Sequence, residues 1–342
     1  MKIVLRLLKW ACFSIIAQLM LLWILNNVYL PGRGKYVEVT RYADTVDGSR
    51  EEITLPENAQ NIQISFDGSF VGYVYKERLN VECIDKTAEK TAVDLDNISF
   101  FRWLYDRNMV IYSSAIEGKN KCDIRVDTYD AVTGVLRSYP LIEDLPAGSR
   151  AVNIELSSLT NMVYVEVAIN DMEKRIFKYN IIDELELVAQ EKAATVIKVF
   201  RYMDGMVYQR NTGHIGIRHG KGENAREVFL EKKAVLLNVA AGDSIYMGEY
   251  NEAGRIVKVY WGTANGYVLE REGEVELRNP ADSSCIYITH DGAIYEIDAP
   301  GGIVRNLTDN TEQVYKGTLC GITGKYMAAA EDNYLKIYAL YT

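Results

Sequence analysis

Histidines are the first candidates for chemistry in this chain, because imidazole is a common metal ligand. The only histidines are His214, His219 and His290. A zinc site needs several His, Cys or carboxylate ligands that converge on one point. His214 and His219 bracket a strand-like run, residues 215–218, and the alternation of a strand would place them on opposite faces. We therefore predict no metal site and assign the histidines to surface or loop positions.

Residues for hydrolytic chemistry form no recognisable constellation either. The Gly-x-Ser-x-Gly elbow of serine hydrolases is absent, and so is a glycine-rich phosphate loop. Carboxylates are plentiful, with 47 Asp and Glu. Their spacing singles out no pair of the kind that glycosidases use. The sequence thus predicts no catalytic residue and no cofactor.

Four aspartates stand in turns between predicted strands: Asp67, Asp106, Asp204 and Asp291. Carboxylates in such turns could hold calcium or contact a ligand at a rim. Aspartate also supports tight turns by accepting hydrogen bonds from nearby backbone N–H groups. Turn support is the commoner role, so we interpret these four as turn residues.

The cysteines leave two interpretations open. Apart from Cys12, they are Cys83, Cys122, Cys285 and Cys320. Pairs 83–122 and 285–320 could form disulfides in an oxidising compartment. Cysteines in strands are also often small buried hydrophobic residues with a free thiol. The large and charged neighbours of Cys12 do not resemble a lipoprotein processing site, so we predict no lipid attachment there.

A repeated unit must position all of these residues. A hydrophobic strand that usually ends in tyrosine occurs seven times, at residues 70–73, 109–112, 161–164, 205–208, 243–246, 284–287 and 326–329. The aligned positions, from Tyr73 to Ala329, lie 38 to 52 residues apart. This spacing is close to the roughly 40 to 50 residues of a propeller blade. We predict an all-β, seven-bladed β-propeller, with six or eight blades as alternatives.

Turn residues and alternation assign four strands to most repeats. The first repeat is assigned residues 61–66, 70–75, 79–84 and 91–95. The sixth is assigned residues 275–278, 285–289, 293–297 and 303–307. The seventh is one strand short, with residues 313–317, 326–330 and 334–340. Residues 51–55 could pair with 334–340 as the missing outer strand, which would close the ring and cover an exposed sheet edge.

One turn carries a family resemblance. Residues 64–71 read ISFDGSFV, and weaker copies occur at 203–206 (MDGM) and 290–293 (HDGA). An inner strand that ends in Phe or Trp, an Asp-Gly turn and an aromatic strand resemble one propeller superfamily. That superfamily includes the periplasmic translocation-protein propellers and the N-terminal propeller of dipeptidyl peptidase IV. The resemblance covers residues 51–342 and implies an architecture, not an activity.

Aromatic residues raise the possibility of a platform for sugar or peptide binding. Trp103 and Trp261 could contribute to one, together with the repeated tyrosines Tyr112, Tyr164, Tyr208, Tyr246 and Tyr287. Recurrence in successive blades is better explained by packing between blades. We therefore expect these tyrosines to be part of the scaffold.

The N-terminal segment indicates a membrane anchor. Residues 10–30 carry no formal charge and follow Lys2, Arg6 and Lys9. Twenty-one helical residues span roughly 31 Å, which matches a bilayer core of about 30 Å. We predict a short cytoplasmic N-terminus (1–9), a signal-anchor helix (10–30), a stalk (31–50) and an extracytoplasmic propeller (51–342). A cleavable signal peptide is the alternative, although residues 26–30 supply no small-residue cleavage site.

Charge excludes one class of partner. The net charge is −9, and because the first 32 residues hold three basic residues and no acid, residues 33–342 carry −12. Such a body would repel nucleic acid. We predict a membrane-anchored, non-catalytic scaffold that binds protein partners in a cell-envelope assembly. The alternative is a carbohydrate-active hydrolase or lyase, which predicts a cluster of unpaired carboxylates in the central cavity.

Overall fold

The computed structural model describes two compact units, Met1–Ala43 and Asp44–Thr342. In the larger unit the structure describes residues 49–84, 97–157, 159–193, 195–210, 212–219, 226–228 and 233–340. In the N-terminal unit it describes Arg6, Trp10, Ser14, Gln18 and Met20. These five positions have helical backbone. Most of the predicted anchor (10–30) and of the stalk lies outside the described residues. Among those described, no helix has the length and hydropathy needed to cross a bilayer.

The described residues of the larger unit form seven antiparallel sheets, the blades of a β-propeller. The first strand among the described residues, β1 (Ser49–Thr54), belongs to the last blade. Blade 1 contains β2 (Gln60–Ile64), β3 (Phe70–Tyr75) and β4 (Arg78–Cys83). Blade 2 contains β5 (Ile98–Trp103), β6 (Met109–Glu117), β7 (Lys121–Asp130), β8 (Leu136–Ser138) and β9 (Ile142–Pro146), of which β8 and β9 both pair with β7. Blade 3 contains β10 (Arg150–Ser157), β11 (Met162–Ala168), β12 (Glu173–Tyr179) and β13 (Leu185–Lys192).

The other four blades follow the same order from the inner to the outer strand. Blade 4 contains β14 (Val196–Val199), β15 (Gly205–Gln209), β16 (Ile215–His219) and β17 (Arg226–Val228). Blade 5 contains β18 (Ala234–Val239), β19 (Ile245–Tyr250), β20 (Ile256–Asn265) and β21 (Val268–Ala281). Blade 6 contains β22 (Ile286–Ile288), β23 (Ile294–Asp298), β24 (Ile303–Asn306) and β25 (Glu312–Val314). Blade 7 contains β26 (Thr318–Ile322), β27 (Tyr326–Glu331) and β28 (Tyr334–Ala339), and two 3-10 helices (Ala241–Asp243, Ser283–Cys285) lie in turns.

Ring closure occurs as the sequence predicts. Strand β1 pairs antiparallel with β28, with Ile53 opposite Leu335, and forms the outer strand of blade 7. Ile53 and Leu335 are buried in the cluster that joins blade 7 to blade 1. The N-terminal strand therefore covers the edge of the last blade, and the propeller has seven blades.

Two strand assignments were wrong. Residues 275–278 are not the inner strand of blade 6, because β21 continues through them as the outer strand of blade 5. The polar run at 271–274 resembles a turn but forms a bulge, where Trp261 pairs with Gly273 and Gly262 with Arg271. Residues 313–317 are not the inner strand of blade 7 either; that strand is β26, in which a bulge near Gly321 breaks the alternation. The strand predicted at 91–95 lies outside the described residues.

Separate hydrophobic clusters seal the boundaries between neighbouring blades. The repeated tyrosines lie in them: Tyr73 between blades 7 and 1, Tyr112 between 1 and 2, Tyr164 and Tyr208 between 3 and 4, and Tyr246 between 5 and 6. The scaffold role predicted for these residues is confirmed. Tyr287 is an exception, because Tyr295 takes the packing position between blades 6 and 7.

Candidate functional site

The inner strands enclose a cavity of about 730 Å³ on the propeller axis. All seven blades contribute to its wall. At the end of each inner strand, one residue pairs through its backbone with the start of the second strand and so closes the turn. The residue two positions before this closing residue lines the cavity in every blade. The seven residues are Gln63, Arg102, Glu155, Lys198, Asn238, Tyr287 and Gly321. We call this set the channel ring.

Several polar side chains near the axis join neighbouring blades at four of the blade boundaries. They donate hydrogen bonds to backbone carbonyls of the following inner strand: Gln63 Nε2 to Phe101 (3.1 Å), Arg102 to Ile154 (3.2 Å), Tyr105 Oη to Leu156 (3.2 Å), Arg201 Nε to Val239 (3.0 Å) and Asn238 Nδ2 to Ile288 (2.8 Å). The accepting carbonyls belong to inner strands, each of which is the edge strand of its sheet, so these bonds supply partners that no neighbouring strand provides. They also fix the orientation of the donors in the channel.

Arg102 and Glu155 form an ion pair within the channel ring. The guanidinium of Arg102 lies 2.7 Å from the Glu155 carboxylate. Burial acts to raise the pKa of Glu155, but the charges of Arg102, Lys198 and Arg201 outweigh it and bring the pKa to about 2. Glu155 is therefore ionised at neutral pH and cannot serve as a general acid.

Lys198 and Arg201 differ from Arg102 in making no direct ion pair among the described residues, although their charges act on Glu155. The Nζ of Lys198 and both terminal nitrogens of Arg201 have no hydrogen-bond or ion-pair partner in the part of the chain that is described. Both side chains are half-buried. These cations therefore face the cavity with unused donors.

An aromatic stack holds Arg201 in place. Its Cζ atom lies 4.3 Å from the centre of the Tyr105 ring, and the ring centres of Tyr105 and His290 are 3.7 Å apart. Burial and the charge of Arg201 lower the pKa of His290 to about 4, so this histidine is neutral at pH 7. The stack joins blades 2, 4 and 6 across one end of the channel.

The charge of the cavity is opposite to that of the chain. Its wall contains the cations Arg102, Lys198, Arg201 and Lys325, and the anions Glu155 and Asp291. With His290 neutral, these residues sum to +2 in a chain whose net charge is −9. The charge favours an anionic occupant.

Exposed apolar side chains flank the same end of the channel, where the inner strands finish. They are Leu159 (66% exposed), Tyr202 (48%) and Met203 (41%). The N–H of Leu159 donates to the carbonyl of Arg201 at 3.4 Å, which places blade 3 directly beside the cationic stack. We call these three residues, with Lys325, the channel mouth.

The histidines do not converge on a metal site. His214 is exposed, with Nδ1 4.0 Å from Glu227, whereas His219 stacks on Phe200. Among the described residues, no group of three or more His, Cys, Asp or Glu side chains could hold a metal ion. The assignment of His290 to an ordinary loop was incomplete, because this residue lines the channel.

The predicted turn aspartates have a further role between blades. Asp67 accepts bonds from the Ser69 N–H within its turn and from Asn108 Nδ2 of blade 2. Asp204 of blade 4 accepts bonds from Tyr164 Oη and Lys178 Nζ of blade 3. Asp106 pairs with Arg107, and Asp291 lines the channel. The turn positions of these aspartates were predicted from the sequence, whereas the contacts of Asp67 and Asp204 between blades were not.

The candidate disulfides do not form. Among the described residues, none of Cys83, Cys122, Cys285 and Cys320 is in a disulfide. Cys122 is buried, donates to the Ser149 carbonyl at 3.3 Å and has its pKa raised to about 11, chiefly by burial. The interpretation as free thiols is thus the one that the structure supports, and Cys12 lies outside the described residues.

The aromatic platform does not form. Trp103 is buried and donates from Nε1 to the Gln63 carbonyl, and Trp261 stacks on Tyr246. Tyr287, expected to pack between blades, lies in the channel ring and is 38% exposed. The error follows from the strand shift in blade 6, which makes the strand of Tyr287 the inner one.

Comparisons with known proteins agree with the fold. No protein-family model and no curated protein sequence matches the chain. The structure of Hsv2p from Kluyveromyces lactis aligns with a TM-score of 0.52 and 11% identity, covering 84% of this chain and 94% of that one. The structure of Hsv2 from Kluyveromyces marxianus gives 0.51 and 11%, covering 85% and 94%. At such identity the likeness shows the propeller fold alone.

Proposed function

We propose that this chain is a membrane-anchored, extracytoplasmic propeller that binds a protein partner at the channel mouth, as a non-catalytic scaffold of a cell-envelope assembly. The observation that carries the proposal is the channel mouth itself. Apolar side chains at Leu159, Tyr202 and Met203 stand beside uncompensated positive charge on an otherwise acidic body. A partner surface with apolar residues and carboxylates would complement it.

The geometry of the cavity favours binding over carbohydrate hydrolysis. Hydrolysis by paired carboxylates needs one acid that is protonated at working pH. Glu155 is held as an anion by Arg102, and Asp291 is the only other carboxylate among the described residues of the cavity wall. The cluster of unpaired carboxylates that this alternative predicts is not formed by these residues.

The anchor and the compartment rest on the sequence. The uncharged residues 10–30 and the preceding basic residues support a signal anchor with the propeller outside the cytoplasm. Protease added outside intact cells should digest the propeller but leave an N-terminal fragment in the membrane. Full protection of the propeller would contradict this location.

The partner site can be tested by substituting two lysines that lie nine residues apart in the sequence, Lys316 and Lys325. Lys325 follows the inner strand of blade 7 at the channel mouth, whereas Lys316 precedes that strand and lies at its other end. Full-length protein purified from solubilised membranes should retain a stoichiometric partner. Lys325→Glu should weaken this association and Lys316→Glu should not. Equal retention by both variants, or an isolated protein with catalytic turnover, would contradict the proposal.

A further inference from the structure

We propose that the central channel binds a small hydroxylated molecule carrying two negative charges, of which a sugar phosphate is the simplest example. This ligand site lies inside the channel and goes beyond the docking of a protein at its mouth. The volume, about 730 Å³, falls within the roughly 300–1,000 Å³ of small-molecule sites. The size and the wall chemistry together define the ligand.

Arg201 is organised in advance to receive an anion. Its Nε is used to bond the Val239 carbonyl at 3.0 Å, and its guanidinium lies over the Tyr105 ring. The two terminal nitrogens, which have no partner among the described residues, remain as a fixed fork. A fork of this kind matches a phosphate or carboxylate in a bidentate manner. An anion there would cost little side-chain entropy, because the guanidinium is already held.

Lys198 supplies the second charge. It belongs to the channel ring, and its ammonium group has no partner in the described part of the chain. Two like charges that share a partly buried cavity repel each other, and an anion bound between them would offset that repulsion. Arg102 does not contribute in this way, because Glu155 already neutralises it.

The charge balance sets the charge of the ligand. The four cations and two anions of the wall sum to +2, and only Arg102 has an ion-pair partner there, Glu155, among the described residues. A phosphate monoester carries about −1.5 to −2 at neutral pH and matches this net charge. The negative body of the protein cannot attract such a ligand from a distance, so selectivity must come from these close contacts.

The side-chain amides of the channel ring indicate that the ligand carries hydroxyl groups. Gln63 and Asn238 donate from their nitrogens to the Phe101 and Ile288 carbonyls. Each amide oxygen then has no partner among the described residues. A carbonyl oxygen can only accept, so it favours ligand O–H or N–H groups over a second anionic oxygen. Gly321, whose added Cβ would meet no atom within 4 Å, leaves open space on the blade 7 side.

The test is a calorimetric titration of the full chain in detergent with glucose 6-phosphate, mannose 6-phosphate, glucuronate and glucose. We expect at least one sugar phosphate to bind, glucuronate to bind more weakly and glucose not to bind. Lys198→Gln should reduce the affinity for the phosphate at least about tenfold, since a charge-assisted contact is lost. Lys198 holds no scaffold contact among the described residues, so this variant should fold, and Lys316→Gln should bind as the wild type does.

The proposal would be overturned by no binding of either sugar phosphate, by binding of glucose with equal affinity, or by an unchanged affinity in Lys198→Gln. Tighter binding of glucuronate than of the phosphates would also overturn it, because the two-charge match would be wrong. Whether Lys325→Glu and Lys316→Glu retain the protein partner is measured in an experiment that does not depend on ligand binding. Failure of ligand binding with intact partner binding therefore rejects the ligand site alone.

Discussion

The guanidinium of Arg102 and the carboxylate of Glu155 meet at 2.7 Å across the boundary between blades 2 and 3. This ion pair neutralises Arg102 but leaves Lys198 and Arg201 without a direct ion pair among the described residues. The same carboxylate that holds two blades together therefore limits the positive charge available to a ligand. Its removal should change stability and ligand affinity in opposite directions.

Glu155→Gln tests that coupling. The variant leaves Arg102, Lys198 and Arg201 without a nearby anion, so we expect the free energy of unfolding to fall by about 1–2 kcal/mol, less than for a fully buried pair because Arg102 and Glu155 retain access to the channel. The affinity for glucose 6-phosphate should rise. Urea denaturation and calorimetry measure the two effects, and a variant that is more stable than the wild type would contradict the account.

His290 should make the propeller sensitive to mild acid. The folded pKa is about 4, below the ordinary value of 6.5, so the unfolded chain binds this proton first as the pH falls. The stabilisation is therefore complete above about pH 6.5 and is lost as the pH falls toward 4. Glu155, with its pKa of about 2, stays ionised over that range.

The comparison uses His290→Phe, which keeps an aromatic ring against Tyr105 but does not titrate. Its Tm should decrease less between pH 7 and pH 4.5 than that of the wild type. His214→Gln, at an exposed position, is the control and should follow the wild type. Parallel curves for all three proteins would show that His290 is not the acid-sensitive group.

Closure of the ring depends on Ile53. Its side chain is buried against blade 7 and blade 1 in the same cluster as Leu335. Ile53→Ala should therefore lower the free energy of unfolding by about 2–4 kcal/mol through lost burial and a residual cavity. Thr54→Ala, at the exposed neighbouring position, should change it by less than about 0.5 kcal/mol. Similar values for both variants would mean that β1 contributes little to closure.

Two tyrosines of the original repeat should behave differently. Tyr164 is buried between blades 3 and 4 and donates to Asp204, whereas Tyr287 is 38% exposed in the channel. Tyr164→Ala should cost about 3–5 kcal/mol of unfolding free energy. Tyr287→Ala should cost less than about 1 kcal/mol. Chemical denaturation of both variants measures the two losses of unfolding free energy. Equal losses would mean that Tyr287 is part of the scaffold.

The sequence was sufficient for the architecture because propeller blades repeat both their alternation and their turn residues. Tyr164 and Asp204 were recognised as a repeated tyrosine and a turn aspartate, and the closing strand was found by counting. The limits appeared where a bulge interrupts the period of two. The bulge near residue 272 resembled a turn, and the bulge beside Gly321 hid an inner strand.

The channel could not be identified in the same way. Arg102, Lys198 and Arg201 each look like ordinary polar positions of an alternating strand or its turn. Their meaning depends on which strand is innermost and on which neighbour supplies a counter-ion, and both are properties of the closed ring. A signal was present for two of them, because Arg102 and Lys198 both lie two residues before the residue that closes the turn after the inner strand. Alignment of the repeats by that turn would have brought them together.

The most direct test of the central claim is site-specific photocrosslinking in intact membranes. A photoreactive residue in place of Tyr202 lies at the channel mouth, and one in place of Val314 lies on the exposed outer strand of blade 6. We predict one saturable adduct with a single envelope protein from position 202, weakened by Lys325→Glu, and none from position 314. The same adduct from both positions, or an adduct from position 314 alone, would contradict binding at the channel mouth.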